Sequence, residues 1–264
     1  MKIAIVTGAT SGLGRAFLDE WQARDYYFDE VWLVARHQDR LEEVGLNLPW
    51  NARLFSIDLS VEADRAMFAR TLKEEAPRVQ YVVNAAGYGK IGSVADIDFA
   101  KQVGMVELNC AALVDVTQLV LPYLALGSVI YEIASVAAFL PQPNFAVYAA
   151  SKSFVHSFSR ALNAELKRKG TQVVSVCPNP MATGFFERAG GTPSFFKRFF
   201  FEKPEKVAHA AVEAALKGRD VSISCKTGQL LHTIGKCMPH RSVLAVEQAL
   251  SIDFSRMRGD KHYK

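Results

Sequence analysis

The chain has 264 residues, half of them hydrophobic, which allows one large domain or two small ones around a substantial core. A formal net charge of +4 suits an anionic small molecule and is too weak and dispersed to argue for nucleic acid. The four cysteines, at 110, 177, 225 and 237, form no Cys-x-x-Cys pair, Met1-Lys2 runs straight into an apolar segment, and no apolar run nears the ~20 residues of a bilayer span, so a cytoplasmic chain with reduced thiols and no signal peptide, membrane span or metal is expected.

The first element is the apolar run Ile3–Val6, followed by Val6-Thr7-Gly8-Ala9-Thr10-Ser11-Gly12-Leu13-Gly14 and then by apolar residues at helical spacing from Arg15 to Trp21. Strand, glycine turn and helix in that order make a phosphate site: Gly8 allows a sharp turn, Gly12 and Gly14 allow close approach, and the helix N-terminus offers N–H groups and a positive dipole end. A P-loop is excluded, because Arg15 and Ala16 follow Gly14 where Lys and Ser or Thr would stand. The spacing Thr-Gly-x-x-x-Gly-x-Gly resembles that of the short-chain dehydrogenase/reductase family. The resemblance implies that Gly8, Thr10, Ser11, Gly12, Leu13 and Gly14 line a nicotinamide dinucleotide.

Further apolar runs follow at 31–35, 53–57, 81–84, 128–134, 172–177 and 221–224, separated by helical segments such as Glu62–Lys73, Phe99–Leu124 and Ala146–Lys169. This alternation predicts an α/β fold: a Rossmann-like, doubly wound, mostly parallel seven-stranded sheet with helices on both faces, three layers in all. The order 3-2-1-4-5-6-7 is what the family resemblance implies. With no linker, repeat or low-complexity segment, one domain over 1–264 is expected.

The second strand ends in Ala35-Arg36-His37, with no acid until Asp39. An acid there would bind the ribose hydroxyls of NAD, whereas the planar fork of Arg36 suits the 2′-phosphate of NADP. Asp58, in Ile57-Asp58-Leu59-Ser60, reads either as a helix cap or, by the resemblance, as the adenine contact, with Leu59 beside it on the cofactor. Asn84-Ala85-Ala86-Gly87 resembles the family's Asn-Asn-Ala-Gly, with Ala85 for the second asparagine. Its small residues let the backbone pass close to the cofactor, and Asn84 ties strands together.

Asn109 stands in a long helical pattern among apolar neighbours and so needs a specific partner. Ser135 follows the fifth strand, Asn144 is an N-cap candidate after Pro143, and Tyr148 and Lys152 share one helical face four residues apart. A tyrosine near its free pKa of ~10 is poorly matched to neutral pH, and a lysine cation close by lowers it. Asn109, Ser135, Tyr148 and Lys152 match the family's catalytic set residue by residue. The resemblance implies that Tyr148 is the acid/base, that Lys152 lowers its pKa and holds the nicotinamide ribose, that Ser135 binds the substrate oxygen, and that Asn109 holds a water of the proton relay.

After the sixth strand the chain reads Cys177-Pro178-Asn179-Pro180-Met181-Ala182-Thr183, where the family has Pro-Gly and then a threonine near the nicotinamide. Pro178 and Thr183 are therefore placed on the cofactor, and Asn179 is expected to take the positive φ of the missing glycine. Seven phenylalanines between Gly184 and Lys203, with Gly190-Gly191 as a flexible point, predict a lid over a bulky apolar substrate, steroid-like, aromatic or long-chain 3-oxoacyl. Pro204 opens another helix. The segment 225–264 is a C-terminal extension, apolar at helical spacing up to Leu250 and broken by Pro239, expected to cover the sheet edge. The resemblance fades after about Ser224.

The expected activity is therefore NADP(H)-dependent reduction of a carbonyl, or the reverse oxidation, in a homodimer or homotetramer paired through the helices at 99–124 and 146–169. The alternatives are an NADP-binding redox sensor without turnover, and an epimerase or dehydratase of the family's extended branch. That branch spaces its glycines differently and carries a larger C-terminal domain.

Overall fold

Ile3 and Ile5 pack on one face of the first strand, and Ala4 and Val6 on the other, all four with no exposed surface. Such alternation with both faces apolar is what a parallel sheet covered on both sides requires. The computed structural model of the chain describes residues 1–181, 185, 189–190 and 201–245. Seven strands, β1 (Lys2–Thr7), β2 (Glu30–Ala35), β3 (Asn51–Ser56), β4 (Arg78–Asn84), β5 (Leu124–Ile133), β6 (Gln172–Val176) and β7 (Val221–Ser222), form one sheet. Their order is β3-β2-β1-β4-β5-β6-β7 and every pairing is parallel, as the resemblance implied.

The helices divide between the two faces. On one, α1 (Gly12–Ala23), α2 (Gln38–Leu46) and α7 (Pro204–Leu216) bury Phe17, Trp21, Leu41 and Val212 against Ala4, Val6, Leu33 and Val176. On the other, α3 (Glu62–Glu75), α5 (Ala112–Val120) and α6 (Ala146–Leu166) bury Phe68, Val116 and Leu162 against Ile3, Ile5, Trp32 and Ile130. This is a three-layer, Rossmann-like α/β/α arrangement. The carboxyl ends of the strands, and the loops that follow them, lie along one rim.

Several elements depart from the sequence reading, each for a local reason. β5 starts at Leu124, ahead of the predicted Ser128, because a bulge carries the ladder past Gly127, whose φ is +78°. The helix predicted over Phe99–Leu124 starts as α4 (Phe99–Val106), widens into a π segment at Glu107–Ala111, and resumes as α5. By length and composition, Phe99–Tyr123 could cross a membrane, yet it packs Met105, Leu113, Val116 and Val120 into the fold. Asn144 is not the cap of α6. It takes φ +59°, its carbonyl accepts from the Gly92 amide at 2.8 Å, and Phe145 holds the N-cap position. The helix α8 (Lys226–Cys237) ends just before Pro239 as expected. It packs on the 3-10 turn Val136–Phe139, with the Gly235 Cα against the Phe139 carbonyl.

Candidate active site

The rim is organised by the turn between β1 and α1. Gly8 has φ +66°, and a Cβ there would lie 2.9 Å from the backbone of Ala85 and Ala86. A Cβ on Gly14 would lie 2.5 Å from the Gly8 carbonyl oxygen, so α1 starts directly on the turn. Thr7 ties the two loops together, its Oγ1 accepting from the Ala86 amide at 3.1 Å. Ser11 is the N-cap of α1 but makes no side-chain bond to the helix, and no acid stands in the first turn. Thr10, Ser11 and Gly12 are partly exposed beside this uncapped helix start, while Leu13 is buried beneath it. A helix N-terminus left open in this way fits an anionic group.

Arg36 follows β2 with its side chain 60% exposed, and its Nη1 lies 3.9 Å from Asp58 Oδ2. Asp58 does not cap α3, whose N-cap is Val61. Its Oδ1 accepts from the Ser60 amide and hydroxyl at 2.9 and 2.7 Å. Burial raises the Asp58 pKa, but the Ser60 bonds and the Arg36 charge outweigh it and hold the carboxyl below its usual range. Leu59 is buried and its carbonyl accepts from Arg65 Nη1 at 2.7 Å, while Arg65 Nε pairs with Asp115. Arg65 lies inside the run Glu62–Lys73, where nothing in the sequence separates it from a solvent-facing helix charge.

Asn84, at the end of β4, donates from Nδ2 to Thr117 Oγ1 at 3.0 Å and to both carboxylate oxygens of Glu132 at 3.1 and 3.2 Å. Ala85, Ala86 and Gly87 then cross in front of β1. A Cβ on Gly87 would lie 2.8 Å from Asn109 Oδ1 and 3.6 Å from Lys152 Nζ. Asn109 sits in the π segment, which is where such widened turns often place functional side chains. Its Oδ1 accepts from the Tyr88 amide at 3.0 Å, and its Nδ2 donates to the Tyr88 carbonyl at 2.9 Å and to Ser151 Oγ at 3.1 Å. The buried amide thus has its partners, and it pins the loop after Gly87 to α6.

The fold brings Ser135, Tyr148 and Lys152 together. Ser135 lies two residues beyond the end of β5 and caps the 3-10 turn, accepting from the Ala137 amide at 3.1 Å. Its hydroxyl is also hydrogen-bonded to that of Tyr148. Tyr148 and Lys152 are both buried on one face of α6. Lys152 Nζ donates to the Ile133 carbonyl at 2.7 Å and lies 5.8 Å from the centroid of the Tyr148 ring. Phe145 stacks on the Tyr148 ring at 4.3 Å between centroids, and Phe185 meets it in a tilted contact at 5.4 Å.

The electrostatics differ from expectation. Burial pushes the Tyr148 phenol up to about 12, with only the Ser135 bond opposing it. Burial also lowers Lys152 to about 8, against the raising influence of Cys110, Glu132 and Cys177. The expected depression of the tyrosine by the lysine is thus not present here, because Lys152 turns its ammonium to the Ile133 carbonyl and desolvation dominates at the phenol.

Beyond β6, the Pro178 carbonyl accepts from the Val136 amide at 3.0 Å and so joins this loop to the turn after Ser135. Asn179 does not adopt the predicted positive φ, which among the described non-glycine residues is confined to Asp25, Ala76 and Asn144. Instead its amide donates to Glu202 Oε2 at 3.0 Å and its Nδ2 to Thr227 Oγ1 at 2.9 Å. Thr183 and most of the segment 184–203 lie outside the described residues. Sequence reasoning also passed over Glu132 and Phe145. The signal for the first was a carboxylate inside the apolar run 128–134; for the second, an aromatic three residues before Tyr148.

Comparison with known proteins fits this arrangement. The family model for short chain dehydrogenase matches residues 2–192. The chain belongs to the short-chain dehydrogenase/reductase family. An uncharacterised oxidoreductase of Staphylococcus epidermidis is 30% identical over 225 residues, covering 84% of this chain and 94% of that protein. Sulfoacetaldehyde reductase 2 of Chromohalobacter salexigens is 35% identical over 201 residues, 72% of this chain and 77% of that one. The very-long-chain 3-oxoacyl-CoA reductase of Rattus norvegicus is 30% identical over 241 residues, 88% and 72% respectively. Among solved structures, a short-chain dehydrogenase from Sphingobium yanoikuyae in complex with NADPH superposes with a TM-score of 0.76 at 24% identity, covering 100% of this chain and 97% of that one. A family member from Burkholderia phymatum in complex with NAD gives 0.74 at 22% identity, covering 88% and 92%. As a short-chain dehydrogenase/reductase, this protein is an oxidoreductase acting on a CH–OH group or its carbonyl.

Proposed function

We propose that this enzyme reduces a carbonyl with NADPH, or runs the reverse oxidation, with Tyr148 as the general acid/base. The hydroxyl-to-hydroxyl contact of Ser135 and Tyr148, one helical turn from Lys152, carries this reading. The residues present fit the dinucleotide: an uncapped α1 N-terminus for the pyrophosphate, Arg36 for the 2′-phosphate, Asp58 and Leu59 for the adenine, and the small residues Ala85, Ala86 and Gly87 beneath the nicotinamide half. When bound, NADPH supplies the hydride that reaches the carbonyl carbon.

The side chains handle the proton. Ser135 Oγ orients the substrate oxygen and Tyr148 Oη passes its proton to it. Lys152 stabilises the phenolate left behind and holds the nicotinamide ribose. Asn109 fixes Tyr88 and Ser151, and with them the distance between the loop at Gly87 and the helix that carries Tyr148. Pro178 borders the nicotinamide. Phe145 and Phe185 against the Tyr148 ring support a bulky apolar substrate, as does the similarity to a very-long-chain 3-oxoacyl-CoA reductase. The similarity to a sulfoacetaldehyde reductase points instead to a small charged one.

A second reading, an NADP-binding sensor without turnover, draws on the burial of Tyr148 against two phenylalanines. One experiment separates the two. Following NADPH absorbance with a panel of apolar ketones, 3-oxoacyl compounds and small charged aldehydes should give turnover that favours the apolar members. No turnover with any member, with NADPH still bound, supports the sensor.

A further inference from the structure

Asn84 of β4, Glu132 of β5 and Ser175 of β6 are register neighbours, so they form a polar row on one face of the sheet. All three are at most 3% exposed. Thr117 of α5 lies over this row, its one hydroxyl hydrogen within reach of both the Leu113 carbonyl at 2.7 Å and Glu132 Oε1 at 2.9 Å. Asn84 Nδ2 donates to both oxygens of the same carboxylate. The Asn84 amide presents donors to both oxygens of Glu132, which suits an ionised carboxylate; burial pushes the Glu132 carboxyl up to about 7, and Thr117, Asn84 and Lys152 oppose that rise. An ionised group with no exposed surface also needs an opposite charge.

The titratable groups near it come from every element packed there. The π segment contributes Cys110, the residue following β6 is Cys177, and α6 contributes Tyr148, Lys152 and His156. Burial raises both thiols, Cys177 to about 12, and Tyr148 likewise to about 12, so all three are neutral at neutral pH. Burial lowers His156 to about 4, and its Nδ1 is bonded to Ser175 Oγ at 2.8 Å. Among these groups Lys152 alone carries positive charge. Its Nζ is bonded to the carbonyl of Ile133, the residue next to Glu132 on the same strand.

We propose that Glu132 is a positioning residue that acts through Lys152: a buried counter-ion that keeps the lysine amine protonated beneath Tyr148. Its catalytic meaning rests on the role of Lys152 under the proposed function. The charge relation itself is independent of that role. The carboxylate favours the ammonium and so raises the lysine pKa against burial. Without it, the amine loses its proton at a lower pH. By reciprocity, the ammonium lowers the pKa of Glu132. A polar residue that merely filled the core would alter stability without moving either titration.

The test is an NMR titration of the full-length protein carrying 13C-labelled lysine, with Lys152→Met used to assign the Lys152 13Cε signal. In Glu132→Gln the Lys152 midpoint should fall by at least one pH unit, a tenfold loss of proton affinity. An unchanged midpoint in a folded variant overturns the proposal. If Glu132→Gln does not fold, the Glu132 13Cδ signal is followed in Lys152→Met, where its midpoint should rise by at least one pH unit; no rise overturns it equally. Tyr148→Phe keeps the two ideas apart. A shifted lysine midpoint beside an active Tyr148→Phe upholds the counter-ion and removes the catalytic reading. An unshifted midpoint beside an inactive Tyr148→Phe removes the counter-ion alone.

Discussion

Tyr148 is a phenol that burial makes a weaker acid, and its ring contacts Phe145 and Phe185. Removing its hydroxyl leaves those ring contacts in place. Tyr148→Phe should therefore bind NADPH as the wild type does in a fluorescence titration, while turnover falls by about 10²–10⁴, the range for a lost general acid. A variant that kept a tenth of its activity would assign the proton to another group. Arg36 poses a similar question about the cofactor. Its guanidinium is mostly exposed and only loosely paired with Asp58 at 3.9 Å, so it can turn to a phosphate at little cost. A charge-assisted arginine–phosphate contact is worth about 1.5–3 kcal/mol, roughly tenfold to more than a hundredfold in affinity. Arg36→Ala should weaken NADPH by that factor and leave NADH nearly unchanged. Equal affinities for the two cofactors in the wild type would remove the assignment.

Elements were legible where the sequence repeats a physical rule. The strands at 3–6 and 31–35 and the crossover helices followed from apolar runs and helical periods, because a doubly covered sheet leaves few alternatives. The glycine turn was legible for the same reason: Gly8 at φ +66° has no room for a Cβ. The failures have local causes. The π segment at Glu107–Ala111 adds its extra residue without changing the apolar pattern, and Asn179 finds side-chain partners in Glu202 and Thr227, which lie far along the chain. Glu132 was hidden in a run read only for its hydrophobicity. The turn also yields a controlled comparison. Gly218 has the same φ of +66° as Gly8, but a Cβ there meets nothing within 4 Å. Gly218→Ala should then cost only the left-handed backbone, roughly 1 kcal/mol, whereas Gly8→Ala adds the clash with Ala85 and Ala86. Thermal melts should show the larger fall for Gly8→Ala, together with weakened NADPH binding. Equal melting temperatures would mean that the β1–α1 turn relaxes freely.

At the scale of the molecule, α4 and α6 leave large apolar side chains exposed. Phe99 is 79% exposed, Val106 48% and Phe154 45%. Phe154 stacks on Phe158, one turn along α6, with centroids 6.1 Å apart and planes 7° from parallel. We propose that two copies of the chain pair through these side chains, α6 against its symmetry mate. A two-fold axis presents each residue twice, so one substitution removes two contacts. Fully burying one phenylalanine contributes about 1.5–3 kcal/mol, and a symmetric pair therefore decides between dimer and monomer at micromolar protein. Phe154→Glu places two like charges across the axis in addition to deleting the rings. Light scattering after gel filtration should give twice the 29.2 kDa chain mass, or a multiple of it, for the wild type, and a single chain for Phe154→Glu. Tyr148 and Lys152 lie on the inward face of the same helix, so a dimer through α6 would also stiffen the mount of the proposed acid/base. The monomeric variant should then lose turnover while its NADPH affinity, set at the β1–α1 rim, stays the same. A Phe154→Glu protein of unchanged mass would show that the aromatic pair lies outside the assembly surface.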